Sequence, residues 1–265
     1  MTSPFDPNAP ASPNGNIYGL PFDVDSARVV ILPVPWDVTV SYADGASRGP
    51  EAIRRASFQV DLYDPFVEDA WKIGLAMAPP SEELAAENAR LRELAKRHID
   101  RLALGEAVDA DELAAVNAGC ERMNAWVETK SASHLARGRK VAVLGGDHSS
   151  PLGLIRALSA GGGSFGILHI DAHADLRRAY EGFAFSHASI LFNALGENGV
   201  SKLVQVGLRD FCEDEVELIR SRGIAAYFDR DLRRRMYRGE SFQRICEEIV
   251  GLLPGELFVH RNVAN

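Results

Sequence analysis

Short apolar runs alternate with amphipathic segments along most of the chain. Residues 28–34 (RVVILPV) are rich in β-branched side chains and interrupted by proline, which is typical of a short buried strand. Five later runs share this apolar character, and we predict that each is a buried parallel strand. They are KVAVLGG from residue 140, FGILHIDAH from 165, KLVQVGL from 202, GIAAYF from 223 and ELFVHRNV from 256.

Helical spacing fills the segments between these runs. Residues 45–56 are predicted as a loop entering a helix, because Pro50 suits a first helical position and Glu51 complements the helix dipole. Leucines recur at helical spacing across residues 81–104, and a second apolar face runs through residues 111–135. Segments between the later strands are long enough for crossover helices. The pattern predicts an α/β protein with a parallel sheet and helices on both faces.

Composition narrows the class of protein. A chain of 265 residues with 46% hydrophobic content can bury a large core, and we place one domain at residues 21–265 after a flexible lead, residues 1–20. The lead has Pro, Ser and Asn where a secretory signal needs an apolar run. No stretch reaches the roughly 18 apolar residues of a membrane helix. We therefore expect a soluble, cytoplasmic protein.

The net charge bears on the partners of the protein, and the cysteine content bears on whether its thiols are reduced. The formal net charge of -8 argues against a nucleic-acid or anionic-membrane partner and favours a small cationic substrate. Cys120, Cys212 and Cys246 are odd in number and widely separated, which fits reduced thiols better than a disulfide framework.

The strongest chemical pattern is Asp171, His173 and Asp175, directly after the apolar run 165–170. Side chains two apart on an extended chain project together, so two carboxylates and an imidazole converge at a strand end. Carboxylates this close repel each other unless a divalent cation neutralises them. Oxygen and nitrogen ligands without thiolate suit manganese, and also admit iron, cobalt, nickel or zinc. The alternative interpretation is a solvated loop.

A second strand end carries a matching polar group. The run 141–144 is followed by Gly-Gly-Asp-His-Ser, in which the glycines permit a sharp turn and His148 is a candidate ligand. Alone, such a turn is weak support for a site. Two strand ends together supply four candidate ligands.

At these residues the chain resembles the ureohydrolase family of arginases, agmatinases and formimidoylglutamases. The resemblance rests on GGDHS at 145–149 and DAHAD at 171–175, and extends to VPWDVTVSYADGASRGPEAIRRAS, FSHAS and VQVGLRD. It is strongest to the agmatinase-type branch. It implies a three-layer arginase-like α/β fold and a homo-oligomer, a trimer or hexamer.

The resemblance also implies a pair of Mn²⁺ ions with a bridging hydroxide that attacks a guanidinium carbon and releases urea. By motif match, His148 and Asp175 bind one metal, His173 binds the other, and Asp171 bridges both. Asp147 becomes a supporting carboxylate beside the site. Bound metal lowers the pKa of water and stabilises developing charge, which is the physical basis of such chemistry.

Three further histidines receive different interpretations. His187 matches the position at which relatives place a histidine beside the substrate, and imidazole titrates in the range needed to protonate a departing amine. The alternative is a helix-start residue that bonds to the backbone, with Ser186 as the N-cap. His169 is interpreted as a core histidine, one face away from Asp171, and His98 as a solvated residue on an amphipathic helix.

The family pattern breaks near residue 260. Relatives complete the site with Ser-x-Asp-x-Asp-x-x-Asp-Pro after a later strand, whereas Asn262 and Ala264 occupy the two metal-binding aspartate positions here. We expect that this compromises the second metal position and that the last strand and helix of the family sheet are missing. A truncated or frameshifted reading frame is favoured over a degenerate homologue.

Two functions follow from these expectations. The first is a manganese-dependent ureohydrolase acting on a linear guanidino compound, with agmatine to putrescine and urea as the leading reaction. Arginine, guanidinobutyrate, guanidine and formiminoglutamate are alternative substrates. The second is a catalytically inactive homologue that retains the fold and residual metal binding.

Overall fold

The computed structural model of the chain describes residues 5–12 and 15–261, apart from the side chain of Arg261. Backbone contacts divide it into two compact units, Met1–Leu154 and Ile155–Asn265. Each unit has a sheet in which every strand pairing is parallel. The predicted α/β class with parallel strands is therefore confirmed. The single domain expected at residues 21–265 stays a prediction.

The first unit contains a three-stranded sheet and three helices, in chain order β1 (Val29–Val34), α1 (Gly49–Ala56), β2 (Leu75–Met77), α2 (Glu82–Leu104), α3 (Ala110–Leu135) and β3 (Lys140–Gly145). The strand order is β2, β1, β3. All of these except β2 were predicted from the hydrophobic pattern, with ends within a few residues. The three residues of β2 are too few to give a periodic signal.

The two long helices begin where their capping residues predict. Ser81 accepts a hydrogen bond from the backbone N–H of Leu84, and Asp109 accepts from the N–H groups of Asp111 and Glu112. Such caps satisfy N–H groups that have no partner within the helix. His98 on α2 is buried, 2% exposed, so the expectation that it is solvated was wrong.

The loop after β1 is organised around the carboxylate of Asp37, which is 2% exposed. Its Oδ2 accepts from the backbone N–H groups of Gly45 (2.8 Å) and Ser47 (3.0 Å). Its Oδ1 accepts from Nδ2 of Asn88 on α2 at 3.0 Å. Burial alone raises the pKa of Asp37, but these hydrogen bonds outweigh it and hold that pKa below its usual range.

Asp37→Asn is expected to destabilise the chain by about 2 kcal/mol near neutral pH, because only one oxygen remains and the new NH₂ group must face either the two backbone N–H donors or Nδ2 of Asn88. A carboxyl group whose pKa is depressed on folding contributes stability above its unfolded pKa and loses it as the pH falls through the folded value. The difference between variant and parent should therefore shrink below about pH 4. Urea unfolding from pH 3 to 7 measures it. Asp44→Asn, an exposed residue of the same loop, is the control.

The turn after β3 approaches the end of β1 very closely. The backbone N–H of Gly146 donates to the carbonyl oxygen of Val34 at 3.0 Å, and that of Asp147 donates to the carbonyl oxygen of Trp36 at 2.7 Å. A Cβ atom added at Gly146 would overlap the backbone of Trp36. Only glycine fits this crossing, which explains the second glycine of the motif.

Gly146→Ala is expected to destabilise the chain by about 3 kcal/mol or more, because the added methyl group must displace backbone and not a flexible side chain. The expected drop in melting temperature is about 6–12 °C for a chain of this size. Gly163→Ala is the matched control, since a Cβ there meets nothing within 4 Å. Equal melting temperatures of the two variants would contradict the close approach.

One helix, α4 (Leu152–Ala160), includes the boundary between the units, and the second unit continues with a four-stranded sheet. Its elements are β4 (Phe165–Ile170), α5 (Ile190–Ala194), β5 (Val200–Leu208), α6 (Glu213–Arg222), β6 (Ala225–Phe228), α7 (Asp229–Tyr237), α8 (Phe242–Gly251) and β7 (Leu257–Arg261). The strand order is β6, β5, β4, β7.

The core of the second unit lies between the sheet and its last two helices. Val204 of β5 packs with Leu232 of α7 and with Ile245 and Ile249 of α8. The predicted strands β4, β5 and β6 are confirmed. β7 was expected to be buried, and this was wrong, because Val259 is 56% exposed. In this structure β7 pairs with β4, and no second partner strand is present within the described residues.

The described part of the chain contains no helix that is both long and apolar enough to cross a membrane. Its cysteines form no disulfide. Cys120 is buried, and burial raises the pKa of its thiol well above the usual range.

Candidate metal centre

The end of β4 carries the main ligand candidates of the second unit. β4 lies between β5 and β7, so Asp171, which follows its last residue, leaves the sheet between two neighbouring strands. The backbone N–H of Asp171 still donates to the carbonyl oxygen of Val206 on β5, at 3.1 Å. Asp171 is thereby fixed by the sheet itself. Ligand sites of parallel sheets collect at this carboxyl edge.

Two buried carboxylates converge here on one imidazole. Nε2 of His169 lies 3.3 Å from Oδ2 of Asp171 and 3.8 Å from Oδ2 of Asp175. The possible ligand atoms of these three residues lie within 4.8 Å of one another. All three are buried, and Asp171 and Asp175 are 7% and 4% exposed. Two buried carboxylates at this separation, with no thiolate, form a donor set that fits a hard or borderline divalent cation.

The second oxygen of Asp171 faces His173. Oδ1 of Asp171 accepts from the backbone N–H of His173 at 2.9 Å and lies 3.4 Å from its Nδ1. The His173 side chain is 45% exposed, and its Nε2 lies 3.5 Å from Oδ2 of Asp210. Asp171 therefore presents one oxygen towards His169 and the other towards His173. The imidazole of His173 lies outside the tight group formed by His169, Asp171 and Asp175.

Asp175 adopts a left-handed backbone conformation, with a φ of 52°. Aspartate tolerates this region better than most residues, and it reverses the chain after the extended segment. The carbonyl oxygen of Asp175 accepts from the N–H of Leu191 in α5 at 3.0 Å. The N–H of Leu176 donates to Oε1 of Glu215 at 2.9 Å. The turn is thus held on both sides of the carboxylate.

Glu215 connects this turn to α6. It is 4% exposed and closes a capping box, since its Oε2 accepts from the N–H of Cys212 at 2.9 Å. Its other oxygen holds Leu176, next to the candidate ligand Asp175. One carboxylate therefore caps a helix and fixes the ligand turn.

Glu215→Ala is expected to lower the free energy of unfolding by about 2–3 kcal/mol, because a buried N–H group, that of Leu176, and a partly buried one, that of Cys212, lose their acceptor. Chemical denaturation measures this. The control is Glu213→Ala, which removes an exposed carboxylate from the same first turn of α6 and should cost under about 1 kcal/mol. A cost at position 215 no larger than at 213 would show that the turn is held by other contacts.

His187 begins a 3-10 turn, His187–Ser189, that leads into α5. The segment lies against the ligand turn, because the N–H of Arg177 donates to the carbonyl oxygen of Ala188 at 3.1 Å. The ring of His187 meets the ring of Tyr180 edge to face, with centroids 6.0 Å apart. Its Nδ1 is buried and has no hydrogen-bond partner among the residues that the structure describes. Ser186 is the N-cap residue of this turn, as the alternative interpretation had it, but its side chain makes no capping bond.

Asp147 and His148 belong to the first unit, at the end of β3. Both are buried, 8% and 9% exposed. Oδ1 of Asp147 accepts from the backbone N–H of Ser149 at 2.8 Å and from its hydroxyl at 2.5 Å. Asp147 therefore shapes the turn that carries His148.

Three contributors to the second-unit cluster were not predicted. His169 was placed one face away from Asp171, and this was wrong, because residues two apart on a strand project to the same side. Gln205 and Glu215 lie 34 and more residues from Asp171 in sequence, so no local pattern could find them. Asn262 and Ala264, which bear on the second metal position, lie outside the described residues.

Comparisons with known proteins agree on the family. The sequence model described as the arginase family matches residues 27–252. The N(1)-aminopropylagmatine ureohydrolase of Thermus thermophilus is 34% identical over 203 residues, 77% of this chain and 58% of that protein. The agmatinase of Bacillus anthracis is 25% identical over 77% of this chain and 59% of that protein. The chain thus spans less than two thirds of the length of these relatives.

Solved structures share the fold. The agmatine ureohydrolase of Thermoplasma volcanium superposes with a TM-score of 0.69, covering 93% of this chain and 70% of that one, at 22% identity. The proclavaminate amidino hydrolase of Streptomyces clavuligerus gives 0.67 over 96% and 75%, at 19% identity. At these identities the likeness establishes the fold alone.

Proposed function

Because this chain belongs to the arginase family, we propose that it is a metal-dependent ureohydrolase that splits a guanidino compound into an amine and urea. The observation that carries the proposal is the convergence of the buried carboxylates of Asp171 and Asp175 at the carboxyl end of β4. Two buried carboxylates this close repel each other unless a cation neutralises them. Membership of the arginase family supports hydrolysis as the role of that cation.

The proposed metal is Mn²⁺, and the proposed ligands are His148, Asp171, His173 and Asp175. Within the second unit, the arrangement of Asp171 supports a bridging role. Its Oδ1 lies 3.4 Å from Nδ1 of His173, whereas its Oδ2 converges with Oδ2 of Asp175 on Nε2 of His169. His148 is proposed on its Gly-Gly-Asp-His motif and its burial. Bound divalent ions would supply an activated water at neutral pH for attack on the guanidinium carbon and would stabilise negative charge on the attacking oxygen.

Two side chains that are not proposed ligands would have supporting roles in the reaction. His187 is proposed to deliver a proton to the departing amine, since its turn is tied to the backbone beside Asp175. Asp147 is proposed to hold the turn of His148 in place. The net charge of -8 favours the approach of a cationic substrate.

Agmatine, hydrolysed to putrescine and urea, is the first proposed substrate, which would place the chain in polyamine metabolism. N(1)-aminopropylagmatine is the second candidate. It is favoured by the higher identity to the Thermus relative, 34% against 25% for the Bacillus agmatinase. The two differ by an aminopropyl extension on the amine end, and the guanidinium group that reacts is the same.

A substrate panel with added Mn²⁺ tests the proposal. Urea release is measured with agmatine, N(1)-aminopropylagmatine, arginine, guanidinobutyrate, guanidine and formiminoglutamate, the last with formamide as its product. Bound metal is measured in parallel by elemental analysis after dialysis. Turnover of an agmatine-type compound that depends on Mn²⁺ is the expected result. Metal binding without turnover of any compound would favour an inactive homologue, and neither binding nor turnover would refute the proposal for this chain.

A further inference from the structure

The buried amide of Gln205 bridges two parts of the ligand cluster. Gln205 lies on β5 and is 0% exposed. Its Nε2 lies 2.7 Å from the carbonyl oxygen of Ala174 and 3.1 Å from Nδ1 of His169. A carbonyl oxygen can only accept, so the amide atom that faces Ala174 is the nitrogen. The orientation of the amide is therefore decided by Ala174, independently of the histidine.

This orientation determines the tautomer of His169. Nδ1 of the ring faces an N–H donor, so it accepts with its lone pair and carries no proton. The single proton of the neutral ring is then on Nε2, the atom that lies 3.3 Å from Oδ2 of Asp171. At this distance the negative charge of the carboxylate attracts a proton on Nε2 and favours this tautomer.

We infer that Gln205 is a positioning residue, which keeps the proton of His169 on Nε2, on the side of Asp171, and so keeps His169 out of the coordination of the proposed metal. Proximity alone would admit His169 as a ligand, because its nitrogen lies in the same 4.8 Å group as the carboxylates. Coordination through Nε2 requires the proton to be on Nδ1, where it would meet the amide N–H of Gln205.

The arrangement bears on both Asp171 and Asp175. Nε2 of His169 lies 3.3 Å from Oδ2 of Asp171, while the hydrogen bond from Gln205 to Ala174 fixes the peptide that precedes Asp175. Oε1 of Gln205 is buried and has no hydrogen-bond partner among the described residues. Leaving this buried oxygen without a donor costs free energy. The two hydrogen bonds that Nε2 donates therefore decide the orientation of the amide. Residues that hold metal ligands in place commonly change the affinity for the metal by 10–100-fold.

The tautomer is measured first, without metal or substrate. Long-range proton–nitrogen correlation spectra of the ¹⁵N-labelled full chain distinguish Nε2–H from Nδ1–H rings, and His169→Gln assigns the signals. The Nε2–H form is expected in the parent. Gln205→Met, which is nearly equal in volume but has no donor, should give mixed tautomers. Lys202→Met, a partly exposed residue on the same strand, should leave the parent spectrum. An Nδ1–H ring in the parent would overturn the inference.

Metal binding is measured second, by Mn²⁺ titration followed by electron paramagnetic resonance. His169→Gln keeps an amide donor, so its affinity should stay within about 3-fold of the parent, whereas His169→Leu should weaken it by about 10–100-fold. Gln205→Met should weaken it by about 10-fold or more. Loss of binding by His169→Gln as complete as by His169→Leu would show that the imidazole is a ligand and overturn the inference.

The second measurement rests on the proposed function, and the first does not. If the parent chain binds no Mn²⁺, the proposed metal chemistry fails, while the spectra still decide whether Gln205 sets the tautomer. If the parent binds Mn²⁺ and the spectra show an Nδ1–H ring, the metal proposal survives and the role of Gln205 is refuted.

Discussion

Asp171→Asn is expected to abolish Mn²⁺-dependent urea release and to weaken Mn²⁺ binding by more than about 100-fold, an effect larger than that of any supporting residue. The amide has nearly the shape of the carboxylate, and its oxygen can still accept from the N–H of His173. What the variant loses is negative charge at the point where the two buried carboxylates converge. Because Oδ1 of Asp171 lies beside His173 and Oδ2 converges with Oδ2 of Asp175, the loss of Asp171 is expected to affect both proposed metal positions.

Calorimetry and thermal unfolding measure this prediction together. In the parent, Mn²⁺ at about 100 times its dissociation constant should add about 2.7 kcal/mol of stability. That corresponds to a rise of about 5–10 °C in melting temperature for a chain of this size. Asp171→Asn should show no such rise. The control, Asp214→Asn, removes an exposed carboxylate from α6 and should retain it. A full Mn²⁺-induced rise in the Asp171 variant would refute the assignment of this centre.

His187→Asn is expected to lower kcat by about 10²–10⁴-fold, with Mn²⁺ affinity within about 3-fold of the parent, because proton transfer to the leaving amine is lost while the proposed ligands remain. The turn that carries His187 is tied to the ligand turn through Arg177 and Ala188, and its ring rests on Tyr180. Asparagine can fill much of this space but does not exchange a proton near neutral pH.

Steady-state kinetics and Mn²⁺ titration separate the possible roles of His187. A fall in kcat with unchanged KM and partial recovery on adding free imidazole to His187→Ala would indicate proton transfer. A rise in KM alone would indicate that the ring only contacts the substrate. His134→Asn, a half-buried histidine of α3, is the control and should leave kcat unchanged. Unchanged kcat in the His187 variant would exclude the proposed role.

Much of the candidate site could be predicted from the sequence because its signals are local. Asp171, His173 and Asp175 follow an apolar run at a spacing of two, and Asp147 and His148 follow another run after paired glycines. A strand end is visible as a change from apolar to polar residues, and parallel strands bring such ends to one edge of a sheet. The reason for Gly146 is different, because its close approach to the backbone of Trp36 is a tertiary contact that the motif alone does not show.

The sequence by itself determined the family, the parallel strands and the residues that offer ligand atoms, because each of these depends on neighbours within about ten positions. The tertiary structure alone decided how those atoms are held. Gln205 reaches His169 because β5 lies beside β4, and Glu215 reaches Leu176 because α6 begins near the ligand turn. Hydrogen bonds between residues more than thirty positions apart depend on which strands pair. The periodicity of a single sequence does not show which strands pair.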